Sequence, residues 1–236
     1  MDNLGEMRLG VQSGLNVTAN SSLFPPATID SAINRAYQKA GGLFKWPALE
    51  DAVKTSTVAT QEYYDAPTTW RPDSIFRIEI DGVQWGEAPD GSPMKYPDYL
   101  IWRANSNNAN STLKKWAVQW LRYFVFPVPT TNGANNLHIW GYENVEELTL
   151  DADTTIFSSN MPECNEAIVL ETVAILKKKG EAPKTGQMLS DEAKQILIVS
   201  YNKIRGEQAK YEKAQPMFEV EDMFGSGLKK QVTGNF

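Results

Sequence analysis

The chain has 236 residues, 42% hydrophobic and 22% charged, with a formal net charge of −6 at pH 7; this describes a globular protein with room for one large domain or two modest ones. The acidic balance excludes a surface built as a whole to hold nucleic-acid phosphates, and a single cysteine, Cys164, excludes an intramolecular disulfide framework and a cysteine zinc cluster. Without the basic start of a signal peptide or an apolar run near the about 20 residues that cross a bilayer, the chain reads as soluble and intracellular at synthesis.

The first predicted helix spans about residues 4–15: Asn3 caps it, Glu6 completes a capping box, and Leu4, Met7, Val11 and Leu15 share a face. In the second, Ile29, Ala32, Ile33, Ala36, Tyr37 and Ala40 keep helical spacing. Thr28 or Asp30 is expected to start it and Gly41-Gly42 to end it. After Trp46-Pro47 the period changes. Thr55–Thr60 and Glu62–Tyr64 read as short strands, and Ile75–Ile80 meets Val83–Trp85 across Asp81-Gly82, the strongest short-range hairpin signal.

A helical turn is expected over Pro97–Arg103, with Tyr99, Trp102 and Arg103 to one side. The asparagine-rich residues 104–112 read as an exposed loop. Lys115–Gln119 and Arg122–Phe126 follow as strands, the second ended by Pro127-Val128-Pro129. A turn over Thr130–Asn136 then leads to a last strand, Leu137–Tyr142, where His138 and Trp140 alternate with Leu137 and Ile139.

The third long helix is capped by Ser159 or Asn160, has Pro162 and Glu163 in its first turn, and buries Ile168, Val169, Thr172, Val173 and Leu176. Lys177, Lys178 and Lys179 complement its negative end before Gly180. A fourth is expected to begin at Ser190, with Asp191 and Glu192 in its first turn and Ala193, Ile196, Leu197, Ser200, Tyr201 and Ile204 on one stripe. It runs to about Lys213 past a weak point at Gly206. The tail scatters Met217, Phe218, Met223, Phe224, Leu228 and Phe236 among charges without a period. It reads either as a disordered end or as an arm that orders on a partner through those six anchors.

Catalytic patterns are missing. His138 is the only histidine, so motifs needing two are excluded, and no phosphate-binding loop or G-x-S-x-G elbow occurs. A Cys164–His138 pair would join a helix start to a strand. Asp151-Ala152-Asp153 near Glu146-Glu147 lacks the glycine and closing glutamate of an EF-hand and reads as a solvated connector. No cofactor and no metal is expected.

The order of segments resembles the head-to-tail adaptor (connector, or head-completion) proteins of tailed bacteriophages, particularly short-tailed ones. The resemblance rests on a first helix at Leu4–Leu15, the Ile33-Asn34-Arg35-Ala36-Tyr37 core of a second, and Trp46-Pro47. It continues through Gln61-Glu62-Tyr63-Tyr64-Asp65-Ala66-Pro67, the Ile75–Gly82 strand and turn, the Phe126-Pro127-Val128-Pro129 strand end and the Pro162-Glu163 helix start. It covers about residues 4–180. The chain departs from the family in residues 104–112 and in the tail after Lys213.

The resemblance implies a structural virion protein: a ring, about twelve copies, joining the portal protein to the downstream tail (nozzle or tube) protein. Packaged DNA would pass through its lumen without specific binding. It would be made in the host cytoplasm and reside at the head–tail junction, with no membrane partner. The expected fold is α+β, a helical domain from residues 1–50 and 155–213, an inserted antiparallel β domain from 51–154, and an extended arm from 214–236. Two other functions compete. One is a tail-associated module that binds a glycan or protein through exposed aromatics such as Trp85, Trp102 or Trp120; the other is a cell-wall hydrolase using Glu143, Glu146 or Asp151.

Overall fold

The computed structural model describes residues 3–18, 21–86, 91–105, 108, 112–158, 161–179 and 182–204. The fold is α+β. The chain divides into two compact units, a helical one ending at Trp46 and resuming at Val145, and a β unit over Pro47–Asn144.

In the helical unit, α1 (Leu4–Leu15) has the expected start. Asn3 accepts the Glu6 N–H at 2.9 Å, and Asn16 closes the far end in the left-handed conformation. The second helix, α2 (Pro26–Leu43), corrects both expected ends. It starts with Pro26 in its first turn and no side-chain cap at Pro25, because a proline there gives up only an N–H that has no helical partner. It also runs through Gly41 and Gly42. A Cβ on Gly41 would lie 2.5 Å from Val145 Cγ1, so this glycine serves close packing and not a C-cap.

Helix α4 (Pro162–Lys179) follows a helix in the β unit, α3 (Tyr96–Ala104), and is joined by α5 (Pro183–Ile204). The predicted α4 face is buried, and its lysines stand at its C-terminal end. The Ser159, Asn160 and Gly180 assignments lie outside the described residues. Helix α5 begins seven residues before the predicted Ser190 start. Ser190 sits inside it, buried, and donates its hydroxyl to Glu171 Oε2 at 2.6 Å. Close approach to α4 decides this: a Cβ on Gly186 would meet Lys178 Cγ at 2.8 Å and the Ala174 carbonyl at 2.9 Å. The core centres on Trp46, which is 0% exposed among Phe44, Phe157 and Tyr201. Its Nε1 donates to the Ala40 carbonyl at 2.9 Å, so the ring is buried without leaving its polar atom unpaired.

The β unit holds two four-stranded sheets. The first pairs β1 (Glu50–Thr57), β8 (Gly133–Tyr142), β3 (Arg77–Ile80) and β4 (Val83–Trp85), all antiparallel and in that order. The β3–β4 turn is the predicted one, with Asp81 at φ 52° and Gly82 at φ 72°, both positive as a two-residue hairpin requires. Strand β1 begins five residues and ends three residues earlier than expected, since pairing from Glu50 opposite Tyr142 to Thr57 opposite Gly133 sets its ends. Strand β8 begins within the predicted turn at Gly133, where the Asn136 side chain accepts the Thr57 N–H at 3.0 Å.

The second sheet is ordered β2 (Tyr63–Asp65), β7 (Arg122–Phe126), β6 (Lys115–Gln119), β5 (Met94–Lys95). The β5–β6 pair is parallel, so this sheet is mixed where an antiparallel domain was expected. Trp70, Ile78, Trp116, Tyr123, Val125, Leu137 and Ile139 fill one core in this unit. Burial of side chains of this size contributes about 1.5–3 kcal/mol each.

Candidate interaction surface

Among the described residues of the helical unit, Arg8, Asp153 and Glu171 hold its elements together. Arg8 reaches from α1 to Asp30 on α2 with two hydrogen bonds, at 2.7 and 2.9 Å, and to Asp151 at 2.8 Å. Those carboxylates raise its pKa further above the ordinary arginine value. Asp153 accepts the Thr149 and Leu150 N–H groups, both at 2.7 Å, which holds its carboxyl below the usual aspartate range. The acidic connector is therefore a built turn, and Asp151, one of the three carboxylates considered for a hydrolase, is engaged by Arg8. Glu171, buried, accepts from Lys39 at 2.7 Å and from Ser190. Cys164 is buried within α4, and burial pushes its thiol up to about 11, so the nucleophilic thiolate is scarce at neutral pH. His138 belongs to β8 of the other unit, with Nε2 3.3 Å from the Asn135 carbonyl. Among the described residues no group of three or more metal-ligating side chains comes together.

The β unit differs, because it builds an apolar surface and leaves it open. Strands β6 and β7 pair Gln119 with Arg122, leaving Trp120 and Leu121 as a two-residue turn. Glycine or asparagine is the usual occupant of a positive-φ turn position, yet Trp120 takes it at φ 62°. The strain is about 1–2 kcal/mol. Asp73, itself at φ 55°, holds the tryptophan on both sides of its peptide. Its N–H donates to the Trp120 carbonyl at 2.8 Å, and its Oδ1 accepts the Trp120 N–H at 2.5 Å. The indole so presented is 66% exposed.

Trp120 borders an open groove of about 850 Å³ whose walls include Met94, Tyr96, Pro97, Val118 and Leu121. Arg122 also lines it, bonded to Asp65 at 2.9 Å and lying 4.6 Å over the Tyr63 ring; that carboxylate raises the arginine pKa. One wall belongs to α3. Tyr99 and Arg103 both bind Glu62, the phenol donating to Oε1 at 3.2 Å and the guanidinium pairing with Oε2 at 2.6 Å. Burial, then the Glu62 charge, pushes the Tyr99 hydroxyl pKa up. With Tyr99 anchored inward, Pro97, Leu100, Ile101 and Ala104 are left exposed at helical spacing. Leu113 and Ile101 are also exposed, Ile101 at 72%. Scattered exposed apolar residues are ordinary, but an aromatic turn beside an apolar groove and stripe marks an interaction surface.

A family model described as SU10 adaptor protein matches residues 3–196. The chain belongs to that family of phage head–tail adaptors. The match takes in the whole β unit of the adaptor and the described part of its helical unit up to residue 196. No curated protein matches it. None of the adaptor's described helices is long and apolar enough to cross a membrane.

Of the three tryptophans considered for recognition, the adaptor exposes Trp120. Trp85 faces the core, opposite Ile78, which corrects its expected exposure. Trp102 is half-buried against Phe126, with ring centroids 5.1 Å apart. The six tail anchors, Met217, Phe218, Met223, Phe224, Leu228 and Phe236, lie outside the described residues. The α3 stripe was missed from sequence. Its spacing is visible there, but Tyr99 and Trp102, which do pack, drew the reading to the opposite face.

Proposed function

We propose that this adaptor works as a ring of identical subunits that docks on the portal protein, continues the DNA channel and receives the downstream tail (nozzle or tube) protein. The observation that carries the reading is the family match over residues 3–196, which takes in both units and the open surface on the β unit. The chemistry supports a structural role: in the helical unit Arg8, Asp30, Glu171 and Ser190 are engaged in packing, and Cys164 is a buried thiol. Repetition around a ring multiplies a modest contact into a stable assembly. The acidic chain, net −6, suits a conduit along which DNA slides without specific binding.

The tail after Lys213 acts as an arm, with Met217, Phe218, Met223, Phe224, Leu228 and Phe236 as separated anchors that order on a neighbouring protein. Removing it is expected to leave the folded units intact and weaken docking; docking at full strength by that truncation would refute the arm. Exposure of Trp120 also keeps a second reading open to test, a tail-associated module that binds a glycan or protein through this aromatic.

Quantitative mass spectrometry of intact particles, with labelling of the tail vertex, tests the main reading. About twelve copies at the portal–tail junction are expected for a closed ring. Absence from particles would refute it, and a position at a fibre tip would favour the binding module.

A further inference from the structure

The groove beside Trp120 has lining charges that cancel: Asp65 and Asp73 against Lys95 and Arg122. Its walls are aromatic, prolyl and aliphatic, from Tyr96, Trp120, Pro97 and Met94. Grooves lined in this way accept extended, proline-containing segments, whose low conformational entropy favours capture. With no net charge of either sign, the lining does not draw in a strongly acidic or strongly basic segment over an uncharged one.

The same chain displays a segment of that chemistry on its other unit. From Leu9 to Ile29 it carries no charged residue. Within this stretch Leu23 is 72% exposed, and Pro25 and Pro26 are exposed beside it. Pro25 stands at φ −57° and ψ 150°, the polyproline II conformation. It is fixed there because its carbonyl accepts the first N–H bonds of α2, from Thr28 at 2.9 Å and Ile29 at 3.2 Å. Pro25, between the bend at Ser22–Phe24 and the start of α2, is thus presented before any partner arrives, which lowers the ordering cost of binding.

We propose that the Leu23-Phe24-Pro25-Pro26 segment of one subunit docks in the Trp120 groove of the next copy of this chain. Leu23 enters the apolar floor, and Pro25 lies against the Trp120 and Tyr96 rings. Groove and segment are different patches; passed in one direction from copy to copy, the contact is heterologous and generates a ring where its rotation closes. A contact of this size falls at the weak end of protein interfaces alone and holds because every subunit makes it twice, once as donor and once as acceptor. This inference rests on the ring reading above and names its subunit contact.

The test uses the full chain, half of it isotopically heavy, with a benzophenone-bearing amino acid in place of Gln119 on the groove wall. Crosslinks between position 119 and residues 21–26, in light–heavy pairs, are expected from assembled material. Leu23→Asp is expected to lose these crosslinks and weaken self-association at least tenfold, with its thermal unfolding unchanged because Leu23 packs little in the subunit. Assemblies that crosslink position 119 elsewhere, the 205–236 tail of a neighbour included, overturn this contact and leave the ring reading standing. A chain that stays monomeric to millimolar concentration and gives no light–heavy crosslink overturns this contact, whereas only absence from particles overturns the ring reading.

Discussion

Trp46 and Trp120 show how differently the two units use one kind of side chain. Trp46 has its ring among three other aromatics and its nitrogen bonded to a helix carbonyl. Trp120 sits in a turn conformation that disfavours it, with its ring outside. The first position maximises burial, while the second gives up local stability to present a surface. In this adaptor, then, Trp46 of the helical unit is spent on folding, whereas the β unit, with its own core filled, leaves Trp120 open at a turn.

The sharpest way to break that comparison is to truncate each tryptophan. Trp46→Ala is expected to cost about 3–5 kcal/mol in denaturant unfolding; a change below 1 kcal/mol would show that Trp46 is not the centre of its core. Next in size is Glu171→Ala, which strips Lys39 and the buried Ser190 hydroxyl of their shared acceptor. A loss of about 2–4 kcal/mol is expected by the same measurement.

Gly41→Ala is expected to cost about 1–3 kcal/mol through overpacking against Val145. The double variant with Val145→Ala should recover most of it. If the two losses simply add, the close approach at Gly41 is not what excludes a side chain there. On the β unit the expected sign reverses. Trp120→Gly relieves the positive-φ strain, so its melting temperature should hold or rise while self-association falls. A variant that melts earlier and still assembles would place Trp120 with Trp46, as a folding residue.

The smallest effect concerns pH. Folding lowers the pKa of Asp153 from an ordinary value of 3.8, chiefly through the Leu150 and Thr149 N–H groups. Its contribution is therefore complete above the unfolded value and lost as pH falls through the folded one. Asp153→Asn should be less stable than the parent at pH 7, and the two unfolding curves should converge at strongly acid pH. A gap that persists there would mean the carboxylate charge is not what holds this turn.

Much of the architecture was legible because it rests on neighbours close along the chain. Asn3 and Glu6 mark the start of α1, Asp81-Gly82 marks a hairpin, and alternation around Leu137 and Ile139 marks a strand with one buried face. Even errors left a local trace, since Pro26 and Pro183 announced the true helix starts through the same first-turn preference that placed Pro162 correctly. The candidate site was far less legible. Three tryptophans looked equivalent as exposed platforms until cross-strand pairing buried Trp85, the Phe126 ring half-covered Trp102, and Asp73 locked Trp120 outward.

By itself the sequence determined most of the helices and strands, their order and several of their caps, because these depend on backbone preference and hydrogen bonds within a few residues; the short β5, made by its parallel pairing with β6, was not among them. Only the tertiary structure decided that Gly41 and Gly186 are packing contacts, that Ser190 is a buried partner of Glu171, and that Trp46 and Trp120 have opposite surroundings. Burial and close approach are properties of residues far apart in the chain. A side chain's own identity carries no record of which distant neighbour will cover it.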